Sequence, residues 1–353
     1  MADGTSVEDR FADRIIGSSR EHEWPVAPAD ASYPDDSVRA WAEYLALRGV
    51  LRGLFLAPRP VSSGLVGALA RACKLVDRRH SNAARRFVRT ALPHLSAADV
   101  ERTVLGAWRH MLHVAVESEG LGVRLAGRRF GDHFELRISP QAAELVASDR
   151  GLLFVTAHIG NWEASCFAMS ALSTRPVYAV GKPPRNGPLS RRMQAMRELA
   201  GIRVLPRRGA MKAIPQIIAA GGRVGLLLDQ RARKKPVIVP FFGHRARCDR
   251  TASVLLRRLA APIVFYACYC AGGPFRYRLV LDEVLMPEDL AGKRPAGIAT
   301  RINEGLERLI LAQPDQYFWL HDRYRDVPAR TPEDGPETAS SPESVSNEVV
   351  EPA

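Results

Sequence analysis

The stretch GLLFVTAHIGNWEASCFAMSAL, residues 151–172, is the clearest guide to the architecture of the chain. Its first seven residues, 151–157, form an unbroken apolar run bounded by a glycine and a titratable side chain, which reads as a strand buried on both faces. The run stops at His158, passes through Gly160, and resumes at about 161 as a helix carrying Ala, Cys, Phe and Met. Asn161 fits the N-cap of that helix, and Gly160 allows close backbone approach in the turn before it. A strand that turns directly into a helix is the repeating unit of a layered α/β domain.

The same alternation continues downstream. Further apolar strands are expected at 176–181, 223–229, 237–242, 262–269 and 276–284, with helices at about 188–200, 209–220, 250–260 and 295–313. Upstream the pattern changes: from 38 to about 119 the sequence carries about three amphipathic helices, with Ser96 and Asp99 placed as an N-cap and a first-turn acid. The expected organisation is an α/β sheet domain over 151–330, preceded by a helical, membrane-proximal region over 37–150 and forming one domain with it. The weakly charged stretch 53–70, GLFLAPRPVSSGLVGALA, contains two prolines and an arginine and falls short of a membrane span.

Charge is unevenly spread along the chain. Residues 1–36 hold three Arg against nine acids, and 331–353 hold six acids and no base, so both ends read as acidic disordered tails. The body, 37–330, keeps 47 basic and 23 acidic residues, a net of +24. Such a body favours a polyanionic partner: nucleic acid, an anionic membrane surface or a phosphorylated substrate. No nucleic-acid-binding motif is present, which sets the first of these aside. The five cysteines, at 73, 166, 248, 268 and 270, form no CxxC pair or metal-ligand spacing and read as free thiols.

Ligands of open α/β sheets gather beyond the carboxyl ends of strands, so the residues that terminate the apolar runs are the candidates for chemistry. The first run ends at His158, with Glu163 five residues on, close enough across the turn to fix an imidazole tautomer as a general base requires. The run at 223–228 ends at Asp229, followed by the basic sequence Arg231, Arg233, Lys234, Lys235. Read without other information, that aspartate is more readily a salt-bridged loop residue than a site residue.

In their order, these pieces resemble a known family. HIGNWE at 158–163, GKPPRNGPL at 181–189, RELAG at 197–201, RRGAMKAIPQIIAAGGRVGLLLDQ at 207–230, PFFGHRARCDRTASVLLRRLAAPIV at 240–264 and QPDQYFWLHDRYR at 313–325 resemble, in sequence and spacing, the bacterial lipid A late acyltransferases. These sit within the wider His-x4-Asp/Glu glycerolipid acyltransferase group. The resemblance implies a mixed layered sheet flanked by helices and a membrane-associated O-acyltransferase. It would take a fatty chain from acyl carrier protein or acyl-CoA, with no metal or redox cofactor, and pass it to a hydroxyl of a glycolipid or lysophospholipid.

The resemblance also implies roles. His158 would act as base, Glu163 would orient it, Asp229 would share the site, and Arg197 would bind phosphate or the developing oxyanion; Arg191, Arg192 and Arg203 lie close enough to fill the same place. Asn161, Lys182, Arg231, Arg247, His321 and Arg323 would contact substrate. The implied location is the cytoplasmic face of the bacterial inner membrane, with peripheral attachment. The loop after Asp229 is more basic than is common in the family, so another lysophospholipid or a mannosylated phosphoinositide stays open as acceptor. A hydrolase using the same histidine would favour a G-x-S-x-G elbow, which is absent. A basic membrane-binding protein with a decayed site is the non-enzymatic alternative.

Overall fold

A computed structural model describes residues 9–17, 24, 35–207 and 209–327. The chain runs α1 (Asp9–Ala12), α2 (Val38–Leu56), α3 (Arg59–Val76), α4 (Arg78–Ala91), α5 (Ala97–Ser118), α6 (Leu121–Leu125), β1 (Phe134–Ile138), α7 (Pro140–Ala147), β2 (Leu152–Thr156) and α8 (Trp162–Leu172). It continues with β3 (Val177–Gly181), α9 (Gly187–Leu199), β4 (Ile202–Pro206), α10 (Ala210–Ala219), β5 (Arg223–Leu227), β6 (Pro236–Phe241), β7 (His244–Asp249) and α11 (Arg250–Leu259). Last come β8 (Ile263–Cys270), β9 (Tyr277–Leu285), α12 (Pro287–Leu290) and α13 (Pro295–Ala312).

Seven strands form one mixed sheet in the order β1-β9-β8-β2-β5-β3-β4, in which only the β8–β9 pairing is antiparallel. Along β2, Leu153 and Val155 enter the core on the side of α5, α10 and α13, while Leu152 and Phe154 enter the core on the side of α7 and α8. That division is why the run is apolar at every position: a strand covered on both faces has no side left for water. The α/β architecture expected from 151–172 is therefore the observed one.

Several expectations need correction. The segment 38–119 folds as four helices, because the chain breaks at Ala57–Pro58 and again at Asp77, whose carboxylate caps α4 through the His80 amide. The run at 237–242 does not enter the main sheet; it is one arm of a separate β6–β7 hairpin, reversed through Phe242 (φ 49°) and Gly243 (φ 73°). Strands β1, β4 and β7 were not anticipated. The first two are edge strands and the third a hairpin arm, and β1 and β7 alternate charged with apolar residues, Glu135 and Arg137 in one, Arg245 and Arg247 in the other. A strand wetted on one side lacks the continuous apolar run that marks a central strand. β1 also places part of the sheet inside the region expected to be helical.

The acidic N-terminal segment is not wholly the disordered tail that its composition suggested. Phe11 and Ile16 are buried, Ile16 exchanges backbone hydrogen bonds with Gly127 and Arg128, and Arg14 donates to the carbonyls of Ala171 and Leu172 at the end of α8. The tail 331–353 lies outside the described residues. Ser96 does cap α5 through the Asp99 amide at 3.2 Å, as expected. Among the described residues no helix is long and apolar enough to cross a membrane.

Candidate active site

The sheet register builds the centre of the site. Strands β2 and β5 are parallel neighbours with Thr156 opposite Leu227, so two residues further on His158 and Asp229 leave the sheet side by side. His158 Nδ1 lies 2.8 Å from Asp229 Oδ1. A carboxylate only accepts, so Nδ1 carries the proton and Nε2 is the basic nitrogen. Nε2 faces outward and meets the Gln230 amide nitrogen at 3.3 Å.

Electrostatics favour the charged pair. Burial opposes charge on both groups, yet each holds the other in its ionised form. Asp229, 2% exposed, is driven up by burial but ends below the usual carboxylate value because of the charge and hydrogen bond of His158. For His158, burial lowers the pKa and the Asp229 carboxylate, with help from Glu163, more than reverses it, so the imidazole ends above its ordinary value.

The turn that carries His158 is fixed from three directions. Gly160 (φ 58°) donates to the Gln316 carbonyl at 3.0 Å, and its own carbonyl accepts from His110 Nε2 of α5 at 2.9 Å. Asn161 N–H donates to Cys268 O on β8 at 2.8 Å, and Phe318 N–H donates to the His158 carbonyl at 3.0 Å. The Gln316 side chain pairs both polar groups of the Cys270 backbone, at 2.8 and 3.1 Å. The closing segment 313–325 thus clamps the His158 turn onto β8, with Tyr317 and Trp319 of that segment packed around Phe87 in the core.

Glu163 does not orient His158 as expected. It forms a bidentate pair with Arg197, Nε to Oε2 at 2.9 Å and Nη2 to Oε1 at 2.5 Å, and Asp229 takes the orienting position instead. The reason is direction: Glu163 lies in the first turn of α8, facing α9, whereas Asp229 leaves a strand parallel to β2. The oxyanion role expected of Arg197 is weakened by the same pair, which engages both of those donors. Of the alternative arginines, Arg191 pairs with Asp36, Arg192 with Glu119, and Arg203 stacks over Trp24 at 4.0 Å, so Arg197 is the one that borders the site.

The other expected contacts divide. Asn161 caps α8 through the Ala164 amide at 2.9 Å and donates to Glu117 Oε2 at 2.8 Å; with no exposed surface, it is a positioning residue and not a substrate contact. Arg323 is likewise interior. It donates to Asn303 at 2.8 Å and stacks on Phe241 at 4.2 Å, while its charge helps keep Asp229 ionised. Lys182 is exposed just beyond β3, at the carboxyl end of the sheet. His321, its pKa lowered by burial and by neighbouring cations, accepts from the Arg231 amide at 3.2 Å. Arg231 and Arg247 line a cavity of about 380 Å³ next to the dyad's loop.

Sequence reading missed Gln230, His110, Glu117 and Gln316. His110 and Glu117 lie seven residues apart on α5, one helical face, and Glu117 also accepts from Tyr277 OH at 2.8 Å. Polar residues at helical spacing on an otherwise apolar face were the available signal.

Residues 35–326 match the model of a family described as bacterial lipid A biosynthesis acyltransferase. Among curated proteins, the chain is 23% identical over 295 residues to the lipid A biosynthesis palmitoleoyltransferase of Escherichia coli (strain K12), covering 82% of this chain and 93% of that protein. It is 26% identical over 312 residues to the lipid A biosynthesis lauroyltransferase of the same organism, covering 83% and 94%. The family match spans the whole sheet, the His158–Asp229 pair and the closing segment. The chain belongs to the bacterial lipid A biosynthesis acyltransferase family and is an acyltransferase.

Proposed function

We propose that this member of the lipid A biosynthesis acyltransferase family moves a fatty acyl chain from an acyl carrier protein or acyl-CoA thioester to a hydroxyl of a lipid A precursor. Both named relatives act in lipid A biosynthesis, and the observation that carries the reading is the His158–Asp229 pair with Nε2 turned outward at the carboxyl end of the sheet. Nε2 takes the hydroxyl proton as the oxygen attacks the thioester carbonyl. The C–O bond forms, the C–S bond breaks, and the proton passes from the imidazolium to the departing thiolate. Asp229 stabilises the transient imidazolium. The Gln230 amide, already 3.3 Å from Nε2, is placed to donate to the oxyanion once the hydroxyl displaces it.

The protein works peripherally at the cytoplasmic face of the inner membrane. Trp41, Leu45 and Val50 of α2 and Val61, Leu65 and Leu69 of α3 are exposed, and Arg52, Arg59 and Arg71 stand among them on the same helices. Apolar side chains ringed by arginine suit the headgroup level of an anionic leaflet.

The test is acyl transfer by purified wild type and His158→Ala. Labelled acyl carrier protein thioester or acyl-CoA would be offered with a lipid A precursor and, separately, a lysophospholipid. Product on the lipid A precursor, lost at least about 100-fold in the variant, is the expected result. Undiminished transfer by His158→Ala overturns the role of the base; product only on the lysophospholipid overturns the acceptor.

A further inference from the structure

Beside the dyad lies a cavity of about 380 Å³ whose wall is made by Arg79, Arg231, Arg233, Arg247, Arg325 and Asp326. Five guanidinium groups against one carboxylate leave a net charge near +4 in a concavity at the small end of ligand size. Like charges gathered this closely repel one another unless an anion joins them.

Two of the arginines are locked before any ligand arrives. Arg247 uses all three donor nitrogens on backbone carbonyls, Nε on Ala232 at 3.1 Å, Nη1 on Asp326 at 2.8 Å and Nη2 on Arg233 at 3.3 Å. Arg231 is tied to the Arg325 carbonyl at 3.2 Å and to the Asp326 carboxylate. The side chains of Arg79 and Arg233 are exposed and make no hydrogen bond or ion pair among the described residues, so their guanidinium donors remain for a guest. Fixed positive walls and two unengaged guanidinium forks suit a phosphoryl group, whose oxygens guanidinium binds in pairs.

The cavity is joined to the chemistry by one loop. Asp229 holds His158 Nδ1, Gln230 touches Nε2, and Arg231 and Arg233 follow directly into the cavity wall. We propose that this basin seats a phosphate monoester or diphosphate of the acceptor headgroup and so selects which headgroup hydroxyl lies on His158 Nε2. The acceptor assignment rests on the acyl-transfer reading; the phosphoryl site itself does not.

The experiment has two arms on the full chain. In the first, inorganic pyrophosphate is titrated calorimetrically into wild type and into Arg79→Gln/Arg233→Gln. Binding weakened about tenfold or more in the double variant is expected, with an unchanged thermal midpoint because neither side chain holds an internal partner. Equal binding by both proteins, or none by wild type, overturns the site. In the second arm, a lipid A precursor and the same lipid after phosphatase treatment are acylated by both proteins. The expected result is a KM raised about tenfold in the variant for the phosphorylated lipid alone, with Arg233→Lys intermediate. A raised KM for the thioester donor instead would overturn the acceptor assignment and leave a site for the donor's phosphate. Pyrophosphate binding without transfer to any acceptor would sink the acyl-transfer reading and spare the phosphoryl site; transfer with an unaltered KM would spare the acyl-transfer reading and overturn the acceptor assignment.

Discussion

His158 and Asp229 give the residue scale its sharpest prediction. The general-base role proposed for His158 requires it unprotonated, and the folded protein holds His158 above its ordinary value. Acyl transfer should therefore rise with pH through a limb lying above about 6.5, the ordinary histidine value. Asp229→Asn removes the charge that raises the imidazole and leaves burial to lower it, so the limb moves to lower pH while kcat falls about 100-fold or more, as the tautomer is no longer fixed. A pH–rate profile of wild type and variant checks both effects. Glu163 and Arg197 behave differently. Their bidentate pair is largely shielded from water, and Arg197→Ala strands a buried carboxylate. Unfolding by denaturant should show a loss of about 3 kcal/mol, discounted from the range for fully buried pairs because the arginine keeps some exposure. The two carboxylates thus differ in their main readout, Asp229 in the pH profile and Glu163 in stability.

At the scale of elements, the His158 turn and the paired helices α2 and α3 carry separate expectations. A Cβ at Gly160 would stand 2.0 Å from the Cys268 carbonyl oxygen, at a φ of 58°. Gly160→Ala should displace the turn from β8, costing more than about 3 kcal/mol in denaturant unfolding together with most of the activity. The exposed face of α3 predicts the opposite pattern. Leu65 and Leu69 are 51% and 36% exposed, so Leu65→Gln/Leu69→Gln should leave the thermal midpoint in place while lowering co-sedimentation with anionic vesicles about tenfold. A lowered midpoint would instead mark that face as part of the folded core. The helices touch the site through α5, whose Val116 packs with Leu54 of α2 and Val66 of α3 while its His110 and Glu117 hold Gly160 and Asn161.

At the scale of the whole molecule, the free cysteines and the basic body set the behaviour. None of Cys73, Cys166, Cys248, Cys268 and Cys270 is in a disulfide, and burial pushes the Cys166 thiol up to about 12. The thermal midpoint should accordingly be the same with and without reductant; a reductant-dependent midpoint would contradict the free thiols. The layered α/β class, the place of His158 and Asp229 at strand ends, the N-cap at Asn161 and the cap of α5 are all legible in the residues alone, because each depends on side chains within one turn or one strand of each other. The inner strands β2, β3, β5 and β8 were legible for the same reason, being apolar almost throughout. The edge strands β1 and β4 were not, since a strand with one wet side looks like a loop until its neighbour is known. Which carboxylate serves His158 was also beyond local reading. Glu163 is five residues away and Asp229 seventy-one, and only the parallel register of β2 on β5 brings the distant one to 2.8 Å while α9 draws the near one onto Arg197. The arginine basin needed the same step, because it gathers α4, the loop after β5, β7 and the closing segment, and no local pattern records where four separate elements meet.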